Sequence, residues 1–411
     1  MSFKIDDVSI SLTSIFMKLV GLWMATNRSE QRLRHIMLIY TFAAILFCIW
    51  VEIMELYHSW GDFGACLYIA CNVLSIAISF FKVLILFVHK EDLFCSILYL
   101  KRKFLHADYD DYEKDIVMGC KQKCTFFICI FTLSCQATII YNYAFISANI
   151  GKNESDRILP FNMWVNLPLS MTPYYEISFV IQVLALYHLG ICYFCFDNTL
   201  CIINLHVAGQ FRVLQYRMAN TTDLKNKEKR EKNDIQIVNS SFTCFVNECY
   251  ATFKKHIRQH QMLIAYCAKL DEVFNLVILQ QVLMFSLLIC LDGYQILVAG
   301  APTRTRFIFS FRILMCLCQL LMFTYSCDCI LYESTSIATA AYRGLWSLLP
   351  MTTSGRMMRK DLTLVIMRSG VPCCLTGKGF FTISLKTYTN VLSTATSYFT
   401  LLRQYTVEAI P

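Results

Sequence analysis

Long apolar runs separated by shorter charged segments dominate the pattern of this 411-residue chain. A helix needs roughly 20 predominantly apolar residues to cross the hydrocarbon core of a bilayer. Seven segments reach about that length, and we predict a membrane-spanning helix in each: 36–57, 64–88, 124–147, 175–205, 272–299, 307–333 and 381–403. The pattern therefore predicts an all-α membrane protein with seven transmembrane helices.

The distribution of lysine and arginine predicts the orientation of these helices. From the N-terminus onwards, the segments outside the spans carry five, none, seven, two, eleven, two and six of these residues. Cytoplasmic segments of membrane proteins carry the excess of positive charge. We therefore expect a cytoplasmic N-terminus and an extracellular C-terminus.

The orientation divides the chain into seven predicted regions. The inner side holds an N-terminal segment, 1–35, and an intracellular helical anchor domain built from 206–271 and 334–380, with a helix at 357–369. Transmembrane helices one to four occupy 36–205, and helices five and six occupy 272–333. The last helix occupies 381–404, and 405–411 forms an extracellular tail.

The last predicted span carries an unusual polar stripe. Five residues recur at steps of four, three, four and three, so they share one helix face: Asn390, Thr394, Ser397, Leu401 and Gln404. Amides and hydroxyls facing lipid are costly, so this face needs water or a partner helix. A narrow pore with one apolar constriction fits the pattern, and so does a tight helix–helix interface.

Charged residues inside the spans need their own explanation. Lys82 in the second span, and Glu52 and Glu55 in the first, are expected to extend to the lipid headgroups. Arg312 lies about one and a half turns into the sixth span, where it is expected to pair with Asp292 of the fifth span. Binding of a polar ligand group is the alternative for Arg312.

Composition and motifs argue against several functional classes. The chain is 56% hydrophobic and 16% charged, which is too apolar for a soluble globule, and its net charge of +8 is dispersed among loops rather than concentrated for nucleic acid. Most of the 21 cysteines lie in apolar segments, where they act as small hydrophobic residues. His256 and His260 lack the glutamate of a zinc-protease motif. We expect no enzyme activity, no metal site and no cofactor.

The C-terminal region resembles the insect odorant receptor family. The resemblance is carried by Ser384 to Tyr388 and by Tyr398 to Arg403, and further upstream by Ala341 to Pro350 and Met367 to Lys378. These elements cover about the last 75 residues. The chain departs from the family pattern at Gly379 and at Ala395-Thr396. The sister gustatory receptors end differently, with a Thr-Tyr pair followed by a Gln-Phe pair. This chain has Thr387-Tyr388 but lacks the Gln-Phe pair.

The resemblance implies an odorant receptor that is a subunit of a ligand-gated, non-selective cation channel. Four subunits, including olfactory co-receptor subunits, surround one pore lined by the last helix of each. Leu401 then corresponds to the hydrophobic gate and Gln404 to the amide beside it. The expected location is the plasma membrane of olfactory sensory neuron dendrites. A gustatory-type channel, a transporter and a G-protein-linked receptor are the alternatives.

The family's odorant pocket lies in the outer halves of spans two, three, four and six. Mostly apolar and aromatic side chains with a few polar groups suit a small volatile molecule. The candidate pocket residues are Cys66, Ile69, Asn72, Val73 and Ile76, then Ala137, Tyr141 and Phe145, then Tyr174, Phe179 and Val183, and finally Ile308, Phe309, Arg312 and Ile313. Asn153, in an outer-loop glycosylation sequon, is a candidate for a glycan.

Overall fold

The computed structural model describes residues 8–25, 27–100, 109–147, 159–161, 163–164, 171–221, 238–297, 303–348 and 351–408. These residues form ten α-helices and one short 3-10 helix, with a single isolated bridge between Thr376 and Thr382 as their only β pairing. The helices are α1 (Val8–Val20), α2 (Arg28–His58), α3 (Phe63–Val88), α4 (Lys90–Leu100), α5 (Asp111–Ser147), α6 (Tyr174–Ala219), α7 (Val238–Leu297), α8 (Thr303–Arg343), α9 (Thr353–Ser369) and α10 (Leu385–Glu408).

Six of the described helices are long and apolar enough to cross a membrane. They are α2, α3, α5, α6, α7 and α8, which match the first six predicted spans. The polar stripe of α10 makes that helix less apolar than the other six. The prediction of an all-α membrane protein is confirmed.

The predicted start of α3 lies close to the observed start, where a capping residue marks the end of the helix. The Asp62 carboxylate accepts hydrogen bonds from the backbone N–H groups of Gly64 at 2.9 Å and Ala65 at 3.2 Å, and α3 begins at Phe63. Such a side chain satisfies donors that the first turn leaves unpaired. The predicted start at 64 is therefore displaced by one residue.

Other helices extend well beyond the predicted spans. α6 continues to Ala219 rather than ending near 205, and α7 begins at Val238 rather than near 272. Both extensions mix apolar and polar residues and pack against neighbouring helices. Hydropathy marks only the lipid-crossing portion of a helix, and both extensions lie within 206–271, the segment predicted to be part of a helical anchor domain.

An N-terminal helix was missed by the hydropathy pattern. α1 packs against α2, α5 and α6, and buries Phe16, Met17 and Val20. The ring of Phe16 meets that of Phe194 edge-on, with centroids 5.0 Å apart. The Thr41 hydroxyl in α2 donates to the backbone oxygen of Val20 at 3.1 Å, which fixes the end of α1. α1 therefore contributes to the core.

A buried ion pair joins the middle of the helix bundle. The Lys82 ammonium in α3 lies 2.7 Å from Asp197 Oδ2 in α6, and neither side chain is exposed. Gln319 of α8 donates to the same oxygen, and Lys82 also donates to the backbone oxygen of Tyr193 at 3.2 Å. The expectation that Lys82 extends to the headgroups is wrong, because its charge is neutralised inside the protein.

One of the two glutamates of α2 also differs from the expectation. Glu52 is buried, with 3% of its surface exposed, so it does not extend to the headgroups. Glu55 accepts a hydrogen bond from the indole N–H of Trp164 at 2.6 Å, and that indole stacks on His58 with centroids 4.1 Å apart. A connecting segment thus covers the end of α2.

A second ion pair ties the extended ends of α5 and α6 together. Arg217 Nε and Nη2 donate to the two carboxylate oxygens of Glu113 at 2.6 and 2.8 Å. Burial alone would raise the pKa of Glu113, but the hydrogen bonds and charge of Arg217 outweigh it and lower that pKa. Arg217 lies within 206–271, the segment predicted to belong to the anchor domain, whereas Glu113 lies outside that prediction.

A compact connector links α9 to α10. The Asp271 carboxylate of α7 accepts from the backbone N–H of Thr376 at 2.6 Å and from its hydroxyl at 3.0 Å. The backbone then turns through Lys378 and Gly379, with φ of 55° and 80°. Gly379 is where the chain departs from the family pattern, and its positive φ suits glycine. The connector fixes the start of α10 against α7.

Replacing members of the Lys82–Asp197 pair tests whether it determines stability. Lys82→Met leaves a buried carboxylate without its cation, and should lower the free energy of unfolding by roughly 3–5 kcal/mol. The double variant Lys82→Met/Asp197→Leu should recover most of that loss. Thermal unfolding of the purified chain measures both changes, with Lys360→Met as the exposed control. Equal destabilisation by the single and double variants would contradict the pairing.

Candidate functional site

The last helix exposes the predicted polar stripe. Asn390, Thr394, Ser397, Leu401 and Gln404 are all exposed on α10 within this chain, and Leu401 is 52% exposed. A neighbouring face of the helix holds Thr387, Val391 and Ala395, which are buried. The stripe is therefore on a different side of α10 from the buried row.

The buried row of α10 seats the helix on α7 and α8. The Phe399 ring of α10 lies over Gly293 of α7, where a Cβ atom would lie 3.4 Å from the ring, at ordinary van der Waals distance. Val391 and Ala395 continue the row by one turn each. Packing of this row gives α10 a defined orientation, with the polar stripe facing away from the bundle.

Several hydroxyls on α10 are satisfied within the helix. Ser397 donates to the backbone oxygen of Ser393 at 2.9 Å, and Thr400 donates to that of Ser397 at 2.8 Å. Such internal bonds lower the cost of placing hydroxyls in an apolar environment. Their oxygen lone pairs stay available to water or ions on the exposed side.

One polar contact near the candidate pocket was predicted correctly from the sequence. Two guanidinium nitrogens of Arg312 in α8 donate to the two carboxylate oxygens of Asp292 in α7, Nε doing so at 2.8 Å. Arg312 Nη1 also donates to Asn72 Oδ1 of α3 at 3.0 Å. The predicted pairing of Arg312 with Asp292 is confirmed. These hydrogen bonds occupy most of the guanidinium, which disfavours the alternative that Arg312 binds a polar ligand group.

Aromatic contacts complete this cluster. The Phe309 ring is fully buried, with the Arg312 guanidinium carbon 4.5 Å from its centroid. The ring of Tyr68 meets Phe309 edge-on at 5.6 Å. Tyr68 was missed among the pocket candidates, although its position on α3, one turn before Asn72, is a signal that the sequence contains.

The remaining pocket candidates differ in their surroundings. Ile69 and Ile76 are buried, whereas Cys66, Val73, Phe179, Val183, Ile308 and Ile313 are half-buried. Ala137 and Tyr174 are exposed. The side chains of Tyr141 and Phe145, and residue Asn153 as a whole, lie outside the described part of the chain. The α3 and α8 candidates thus meet directly, through Asn72 and Arg312.

Fold and membrane helices together define a polytopic helical membrane protein with a polar exposed last helix. Residues 65–396 match the family model described as 7tm Odorant receptor. The chain therefore belongs to the 7tm odorant receptor family.

Curated relatives support this assignment. The chain is 26% identical over 238 residues to odorant receptor 13a of Drosophila melanogaster, covering 55% of this chain and 53% of that protein. It is 25% identical over 250 residues to odorant receptor 10 of Aedes albopictus, covering 60% of each. The matched segment thus spans between half and two thirds of these relatives, which are receptors and not enzymes.

Solved structures share the fold. The chain superposes on the insect olfactory receptor OR5 from Machilis hrabei in complex with eugenol with a TM-score of 0.77, at 13% sequence identity. The superposition covers 96% of this chain and 97% of that one. A second structure of the same receptor gives the same TM-score at 12% identity.

A graded pair of substitutions tests the Arg312 cluster. Arg312→Leu strands the buried Asp292 carboxylate and should lower the free energy of unfolding by roughly 3–5 kcal/mol. Asn72→Leu removes a single hydrogen bond to a charged group and should cost about 1.5–3 kcal/mol. Chemical or thermal unfolding of the purified variants measures both. A larger effect of Asn72→Leu would show that the ion pair does not dominate the cluster.

Proposed function

We propose that this chain is the odorant-binding subunit of a ligand-gated, non-selective cation channel in the plasma membrane of olfactory neurons, expected in their dendrites. Membership of the odorant receptor family over residues 65–396 is the observation that carries the proposal. The exposed polar stripe of α10 supports a channel, because a helix face left uncovered in one subunit needs either water or another subunit.

The proposed assembly is a tetramer that includes olfactory co-receptor subunits. In such a ring, each copy of this chain presents Asn390, Thr394, Ser397 and Gln404 of its last helix toward a shared axis. Leu401 is the large apolar residue of this row. Converging leucine side chains can exclude water from a narrow pore and so close it without a charged plug. Separation of the helices then lets ions meet the neighbouring polar groups.

The proposed ligand is a small volatile organic molecule. Buried and half-buried side chains of α3, α6 and α8 provide apolar and aromatic surface, and Asn72 supplies an amide beside the Arg312–Asp292 pair. The solved relative named above was captured with eugenol, a small aromatic compound. A site with these walls selects ligands by shape and by one or two hydrogen bonds.

Co-expression with an olfactory co-receptor tests the function as a whole. Cells that contain both chains should respond to members of an odorant panel with cation currents that require no added nucleotide. Cells with the co-receptor alone provide the control. A response that depends on G-protein activation, or a flux limited to a few ions per ligand, would contradict the channel and favour the receptor or transporter alternatives.

Leu401→Ala tests the gate. Removing a large apolar side chain from the constriction in each copy of this chain should raise the current in the absence of ligand several-fold, or change ion permeation. Leu392→Ala makes the same truncation on the half-buried side of α10 and should leave basal current unchanged. Wild-type basal current and ion selectivity in the Leu401 variant would count against the gate.

Cysteine substitution tests which face of α10 meets water. Asn390→Cys and Ser397→Cys should react with membrane-impermeant thiol reagents and alter the current. Val391→Cys and Ala395→Cys, on the buried row, should not react. The unsubstituted chain controls for its native cysteines. Reaction confined to the buried row would exclude a pore along the polar stripe.

A further inference from the structure

A cleft between α7 and α9 has no part in the function proposed above. Its volume is about 420 Å³, within the range of small-ligand sites. The lining residues of each helix follow the same helical spacing, so two complementary faces form the walls. α7 contributes Lys254, Ile257, Arg258, His260, Gln261 and Ile264, and α9 contributes Asp361, Leu364, Val365 and Arg368.

The cleft carries an excess of positive charge. Lys254, Arg258 and Arg368 line it against one carboxylate, Asp361. That carboxylate already accepts a hydrogen bond from the Tyr250 hydroxyl at 3.0 Å. Within the described residues, none of the three cations forms an ion pair with a carboxylate. Arg368 Nη1 donates to the backbone oxygen of Val371 at 2.9 Å, and the Lys254 ammonium lies 4.2 Å from the centroid of the Tyr250 ring. Neither contact supplies a negative charge, so the three cations and the one carboxylate leave the cleft with a net positive charge.

A buried histidine adds a neutral donor to the cleft wall. His260 is 4% exposed, and its ring meets that of Phe211 edge-on at 6.4 Å. In the described part of the chain its imidazole has no hydrogen-bond partner. Burial, and then the charge of Arg368, lower the pKa of His260 to about 4, so the ring is neutral near pH 7. A neutral imidazole nitrogen can donate to an anionic oxygen.

We propose that this cleft binds a soluble phosphate-bearing anion. Guanidinium groups present paired N–H donors that match phosphate oxygens, so Arg258 and Arg368 would hold the anion from opposite walls. Lys254 contributes charge at the end nearest Tyr250, and Ile257, Ile264, Leu364 and Val365 form the apolar floor.

The position of the cleft favours a free anion over a lipid headgroup. Its α7 residues precede the predicted start of the fifth span, residue 272, by 8 to 18 positions. At 1.5 Å of helix rise per residue, this places them roughly 12–27 Å from the membrane boundary. The lysine and arginine distribution assigns that side to the cytoplasm. The ligand is thus expected to come from solution.

Binding of inorganic tripolyphosphate to the full chain tests the proposal. The purified protein, in nanodiscs of uncharged phosphatidylcholine, is titrated by calorimetry at low ionic strength. Saturable binding with one site per chain is expected. Arg258→Gln/Arg368→Gln should weaken it at least tenfold. Lys255→Gln/Arg356→Gln makes the same charge change on the same two helices outside the cleft, and should alter the affinity less than twofold.

A steric variant distinguishes binding in the cleft from a general effect of the protein's net charge. Leu364→Trp keeps every cation but fills the cleft, and because Leu364 is already exposed the change should be tolerated in folding. Its binding should be lost while its thermal unfolding stays that of the wild type. This variant also tests the proposal if the double arginine variant fails to fold.

Four outcomes would overturn the proposal. They are absence of saturable binding to the wild type, equal weakening by the two charge pairs, unchanged binding in Leu364→Trp, and binding only to vesicles that contain phosphatidylinositol bisphosphate. The test does not depend on channel activity, since binding is measured on the chain itself.

Discussion

The bilayer interior offers no water to a charged side chain, and the pairing of buried charges therefore constrains how these helices can be arranged. Lys82 of α3 is neutralised by Asp197 of α6, with Gln319 of α8 on the same oxygen. Arg312 of α8 is neutralised by Asp292 of α7, with Asn72 of α3 beside it. A buried charge that loses its partner is strongly destabilising. These two groups together restrict four helices to one register.

The two groups also define different halves of the bundle. Asn72 and Arg312 lie among the residues proposed to meet an odorant, whereas Lys82 lies about three turns further along α3. α3 and α8 take part in both. A ligand that moved the side chains of the Arg312 cluster would act on α3 and α8. The Lys82–Asp197 pair, together with Gln319, holds the same two helices at another position along their length. The scaffold thus couples the proposed pocket to the centre of the bundle by direct contacts.

The sequence predicted features that depend on local order, and missed those that depend on distant contacts. The limits of α3 were predicted to within one residue because hydropathy and the Asp62 cap coincide there. Arg312 and Asp292 could be paired because they lie near facing ends of consecutive helices. The partner of Lys82 is 115 residues away, and nothing near Lys82 in the chain points to Asp197. α1 escaped notice because its apolar run is short.

The candidate site divides in the same way. Helical periodicity was enough to place Asn390, Thr394 and Ser397 on one face of α10, and the structure leaves that face exposed. Predicting the pocket residues required knowing which side chains point inward. Ile69 is buried and Ala137 is exposed, and the spacing of residues in the sequence does not indicate this difference. The contact of Tyr68 with Phe309 joins two helices that are over 200 residues apart in the chain.

The hydrogen bonds from Thr376 to Asp271 restrict how the last helix can move. They tie its near end to α7 just before it begins, so sliding of α10 along its own axis would break them. Tilting about that tethered end keeps them intact, and displacement then grows with distance from the pivot. Leu401, toward the far end of α10, would sweep a wider arc than Asn390 for a given rotation. A small rearrangement at the base is thereby magnified into a large lateral excursion at the tip.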